Sequence, residues 1–88
     1  MTEEEFHKIL DEKGYGSAQI REWEPNLNKE MHTHDKSAMA LVTRGELTLV
    51  FESSSETFGV GECCELLAGT VHTETTGDDG AITLLAYK

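Results

Sequence analysis

His32-Thr33-His34 and Leu67-Ala68-Gly69-Thr70-Val71-His72 carry three of the four histidines of this 88-residue chain. In an extended segment alternate side chains share a face, so His32 and His34 point the same way and offer two imidazoles to one ligand. Both segments lie among β-forming and turn-forming residues rather than in a helical pattern. A third imidazole, His72, brought beside the pair by a closed sheet makes a metal centre inside a small β-barrel.

Length and charge bound the rest. Eighty-eight residues suffice for one domain with a modest core. Seven Lys+Arg against 17 Asp+Glu give a formal charge of −10, which repels phosphate backbones and anionic lipid surfaces and argues against nucleic-acid and membrane partners. The acidic start Met1-Thr2-Glu3-Glu4-Glu5 has no apolar leader pattern, and no run approaches the roughly 20 apolar residues of a membrane span. A soluble, cytoplasmic protein is expected.

Thr2 to Lys13 is predicted to be a short amphipathic helix. Thr2 and Glu5 fit a capping box, Phe6, Ile9 and Leu10 recur at helical spacing, and Gly14 follows. His7 on this helix has no partner one turn away and is expected at the surface. Residues 1–16 are thus assigned to the helix and its exit, and 17–88 to the barrel. Strands are predicted over Ala18 to Trp23, Lys29 to His34, Ala38 to Arg44, Glu46 to Glu52, Glu56 to Phe58, Cys63 to Leu67, His72 to Thr76 and Ala81 to Tyr87. Turns are expected between them, including Arg44-Gly45-Glu46 and Gly77-Asp78-Asp79-Gly80. Many short strands after one helix make an all-β barrel or sandwich.

The adjacent Cys63 and Cys64 read as free thiols serving as small strand residues. Alternation lets at most one face the interior, where an accessory ligand role stays open to it.

On these residues the chain resembles small single-domain cupins. His32, His34 and Gly45 stand as in the first cupin motif, and Gly61, Gly69 and His72 as in the second. The resemblance spans roughly residues 20 to 86. It implies a cupin-type double-stranded β-helix, or jelly-roll barrel, with a short N-terminal α-helix, and a metal held by His32, His34 and His72. The departures are specific: Ala38 stands where cupins carry a metal-binding glutamate, Leu67 replaces a proline, Thr76 an asparagine and Asn26 a glycine. The resemblance therefore implies a three-histidine variant with coordination positions left open.

Parity nominates a replacement. Glu74 shares the face of His72 and could act beside the ligands or as a general base, while the bland reading leaves it in water at the barrel mouth. Glu30 reads as a solvated residue. Ala38, Ala40, Val42 and Thr76 are expected to line a substrate pocket, with Met39, Leu41 and Thr43 facing outward. That apolar outer face needs a cover, from the helix or from a second copy, and the resemblance favours a homodimer. Neutral imidazoles suit a divalent transition metal, with zinc, iron or nickel foremost. Two functions remain open: a metal-dependent enzyme of the oxygenase, isomerase or hydrolase class acting on a small organic molecule, and a non-catalytic module that binds a metal or small ligand. Arg44 reads as an exposed turn residue, and Arg21, Tyr15 and Tyr87 show no tie to the histidines.

Overall fold

A computed structural model describes all residues, 1–88. Helix α1 spans Glu3–Lys13. The Thr2 hydroxyl accepts from the Glu5 amide at 3.1 Å and the Glu5 carboxylate accepts from the Thr2 amide at 2.9 Å, closing the expected capping box. Gly14, at φ 79°, ends the helix in the left-handed region. Five strands follow: β1 Gln19–Trp23, β2 Ala38–Phe51, β3 Ser55–Phe58, β4 Cys63–Leu66 and β5 His72–Tyr87.

Two long antiparallel strands, β2 and β5, form the spine of the barrel, paired from Ala38↔Tyr87 to Phe51↔His72. Along its first half β2 also pairs with β4, and β5 along its second half pairs with β1; β3 pairs with the second half of β2. The spine bends where the β2–β5 register shifts around Arg44 and Gly45. It thereby folds two leaves of sheet toward each other. The turns expected at Arg44-Gly45-Glu46 and at Gly77–Gly80 are thus bends inside continuous strands. Both bends need glycine: Gly45 and Gly80 sit at φ 72° and 67°. A Cβ on Gly45 would strike the Gly80 carbonyl oxygen, and one on Gly80 the Trp23 carbonyl oxygen.

A second correction concerns 29–34, which is not a strand. It is a loop joined to β5 at isolated bridges, Asn28↔Thr75 and His32↔His72.

Alternation along β2 separates two cores. Outward-facing Met39 and Leu41 join Phe6, Leu10, Tyr15 and Ala86 in a cluster that buries the helix against its own sheet. Of the two covers open to this face, the structure uses the helix, so the face no longer calls for a second copy. Inward-facing Ala40 packs with Leu49 and Cys64, and Val42 with Leu47 and Ala81. Thr43, also outward, is exposed. The helix is further fastened by Lys13 Nζ and the Tyr15 hydroxyl, each donating to the Glu65 carboxylate at 2.7 Å. These bonds, Lys13 first, hold the Glu65 carboxyl below its usual range, and burial followed by the bond to Glu65 pushes the Tyr15 phenol up.

Two outcomes follow from this docking. Phe6, fully buried, is expected to cost about 3–5 kcal/mol when replaced by alanine, measured by urea unfolding with far-ultraviolet dichroism. Because the folded-state pKa of Glu65 is depressed, its stabilisation is complete above the unfolded value, near 4.5, and is lost as pH falls through the lower folded value. Glu65→Gln should therefore lower stability at neutral pH and shrink the stability lost below about pH 4.5, read from melting temperature against pH; an unchanged acid limb would show that the clasp does not contribute.

Candidate metal centre

The centre is built where the loop around His32 meets the start of β5. Backbone bonds fix the meeting: the His32 amide donates to the His72 carbonyl at 2.8 Å, the His72 amide returns the bond at 3.0 Å, and the Gly69 amide donates to the His34 carbonyl at 2.9 Å. The Thr73 hydroxyl adds a bond to the Lys29 carbonyl at 2.9 Å. The histidine segment thus needs no strand pairing along its length to be held in register. The three rings gather with centroids 4.6 to 5.1 Å apart. His72 is fully buried at the back, His32 half-buried and His34 exposed, so the cluster opens to solvent on the His34 side.

Glu74 joins them. Alternation from His72 puts it on the same face of β5, where it is 9% exposed, which excludes a carboxylate solvated at the barrel mouth. Its Oε2 lies 2.6 Å from His72 Nε2 and its Oε1 3.5 Å from His32 Nε2. The ligand atoms of His32, His34, His72 and Glu74 all fall within 4.8 Å of one another. Donor atoms on one ion at bonds of about 2.1 Å stand about 3 to 4 Å apart, so this spread is close to that of a bound set and closes on an ion by side-chain movement alone.

The ring tautomers make the donor set fit a cation. His72 Nδ1 lies 2.9 Å from the Thr70 carbonyl oxygen, and His32 Nδ1 2.9 Å from that of Glu30. A carbonyl only accepts, so each neutral ring carries its proton on Nδ1 and turns the Nε2 lone pair toward Glu74. Buried His72 Nε2 has no hydrogen-bond partner, because the 2.6 Å approach of Glu74 lacks hydrogen-bond geometry. A lone pair held against a carboxylate in a buried site is repulsive, and a cation between them reverses the sign. These residues fit a divalent transition metal on that ground. The carboxylate lost at Ala38 is thus matched by one offered from the other motif, two residues after His72.

A cavity of about 160 Å³ opens beside the cluster. Buried Leu27, Ala40, Leu47 and Leu49 form its inner wall, and Ala38, Leu66, Leu85 and Tyr87 its more exposed side. Of the expected lining, Ala38 and Ala40 border it; Val42 and Thr76 do not. Val42 has the right parity but lies next to the spine's bend, packed in the core with Leu47 and Ala81. The Thr76 hydroxyl is committed elsewhere, donating to the Glu24 carbonyl at 2.6 Å and accepting from the Leu27 amide at 2.9 Å. Cys64 borders the cavity while Cys63 packs against the helix side, as alternation requires. Burial, followed by neighbouring Cys63, pushes the Cys64 thiol up to about 12, so it stays protonated and is a poor metal ligand. His7 is exposed on α1, apart from the cluster, and Arg44 is exposed as expected.

Nine lining residues escaped the sequence reading: Arg21, Trp23, Leu27, Lys29, Leu47, Leu49, Leu66, Leu85 and Tyr87. Alternation along Gln19–Trp23 puts Arg21 and Trp23 on one face and Ile20 on the other, so each face carries one apolar residue and the pattern does not say which is inner.

No protein-family model and no curated protein matches the chain. Solved structures do. A cupin-2 domain protein from Shewanella frigidimarina is similar at 18% identity and TM-score 0.65, covering 78% of this chain and 66% of its own. The EutQ protein of Clostridium difficile matches at 16% identity and TM-score 0.66, covering 89% and 60%. The DMSP lyase DddQ of Ruegeria pomeroyi matches at 19% identity and TM-score 0.69 over 81% of this chain, which spans only 36% of the lyase. With its bent two-strand spine, its two facing leaves and these neighbours, the chain has the cupin fold: an all-β jelly-roll barrel preceded by one short helix.

Proposed function

We propose that this protein is a metal-dependent enzyme acting on a small organic molecule, with the ion held by His32, His34, His72 and Glu74. The reading rests above all on the orphaned Nε2 of buried His72, aimed with the Glu74 carboxylate at a point beside a cavity. Three neutral imidazoles and one carboxylate suit zinc, ferrous iron or nickel. Such an ion supplies Lewis-acid polarisation of a bound oxygen or a lowered pKa for a bound water. The chain supplies the rest. The carbonyls of Glu30 and Thr70 orient the two rings through Nδ1. The apolar wall accepts a carbon body beside the ligand cluster. Glu74 is assigned to the ion rather than to proton transfer, since both its oxygens face histidine nitrogens. Besides the histidines, the groups with exchangeable protons at the cavity are the Tyr87 hydroxyl, the Cys64 thiol, the Trp23 indole, the Arg21 guanidinium and the Lys29 ammonium.

A second reading, a non-catalytic metal or small-molecule binding module, is favoured by one observation. Ten of the fifteen lining residues are hydrophobic, and Glu74 is the single carboxylate among them. Turnover of any candidate substrate by the loaded protein decides between the two.

Metal binding is tested first. Protein stripped with EDTA and given zinc at a hundredfold excess over its dissociation constant should gain about 2.7 kcal/mol, a rise in melting temperature of at least about 10 °C for a domain of this size. Glu74→Gln, which keeps the shape but not the charge, should weaken zinc by at least about tenfold, and His72→Ala should lose stoichiometric metal while keeping its β-sheet dichroism. No shift with zinc, nickel or ferrous iron would remove the basis of the proposal.

A further inference from the structure

We infer that the ligand of the cavity is a small organic carboxylate whose anionic end is received by Arg21 and Lys29. This rests on the proposed function only in taking the cavity beside the histidines as the working site. The chain is strongly acidic, yet two of its seven basic residues border this one cavity and Glu74 is the lone acidic residue there. Elsewhere the chain has 16 acids (17 less Glu74) to five bases (seven less these two). With Glu74 turned to the histidines, the cations at the cavity have no counter-charge of their own. Neither makes an ion pair, as is so for every Lys and Arg of the chain but Lys13.

Both residues are anchored, Arg21 through its side chain and Lys29 through its backbone. The Arg21 guanidinium lies 4.5 Å from the centroid of the Trp23 ring, and Trp23 is itself fixed by donating its indole N–H to the buried Thr83 hydroxyl at 3.0 Å. The contact with the ring holds the guanidinium at the strand while its N–H groups make no bond within the chain, which leaves them free to meet a planar anion with two parallel hydrogen bonds. Lys29, exposed, sits in the loop between buried Leu27 and His32, its carbonyl bonded by Thr73, and borders the same cavity. A protein of net charge −10 repels anions at long range, and a local cationic pair is what admits one. The apolar lining receives that anion's carbon chain.

The test titrates propionate, butyrate and pentanoate, each against its neutral amide, into zinc-treated and EDTA-treated protein, following the cavity leucine methyl resonances by NMR. At least one carboxylate should bind at least about tenfold more tightly than its amide, in both preparations. Arg21→Gln should abolish most of that preference, Lys29→Gln should reduce it, and Arg21→Lys should restore part of it. Binding should weaken as salt rises. Equal affinity for acid and amide, no carboxylate binding by any of the three, or a preference untouched by Arg21→Gln overturns the inference. A preference present only with zinc and insensitive to Arg21 places the carboxylate on the ion and overturns it as well. Failure to take up zinc with the Arg21-dependent preference intact would instead overturn the metal reading alone.

Discussion

The backbones of β1, β2 and β5 cross so closely at Trp23, Gly45 and Gly80 that no side chain fits between them. Everything else in the barrel depends on that approach. Without it the 14-residue β2 and the 16-residue β5 would run on as one flat pair. The bend turns the Ala40 and Leu49 stretches of β2 to face a common interior, and it brings β1, with Arg21 and Trp23, to the wall of the cavity that the histidines border. Two glycines in the left-handed region therefore do more for the site than any residue that touches it.

The two faces of β2 divide the labour of a small chain. The outer one, with Met39 and Leu41, takes the helix and supplies a dry core. The inner one gives up packing to keep a cavity, lined by the short side chain of Ala40 and roofed by leucines. A domain of this size has little apolar surface to spare. Docking the helix on the outside recovers burial that the hollow inside forgoes.

Much of this was legible in the residues, for reasons that differ by element. The helix showed because its box, its apolar spacing and its terminal glycine all agreed. The cupin fold showed because two histidine segments stood in register with glycines between them. Glu74 was found by parity alone, since a strand fixes which side chains share a face. What misled was equally physical. A glycine between apolar runs can end a strand or bend one, and at Gly45 and Gly80 only the crossing backbone decides. The 29–34 segment has strand-like alternation, yet it is held by scattered bridges to β5. Thr76 kept its parity, but its hydroxyl was captured by the loop at Glu24 and Leu27.

The four converging groups arise from only two places in the chain, 32–34 and 72–74. An ion gripped by both closes a loop of about forty residues, and closing a long loop removes far more freedom from the unfolded chain than from the folded one. Adjacent thiols such as Cys63 and Cys64 cannot make such a cross-link. A metal held by the cluster would, reversibly, and would stand in for a covalent tie in a protein whose two cysteines are free.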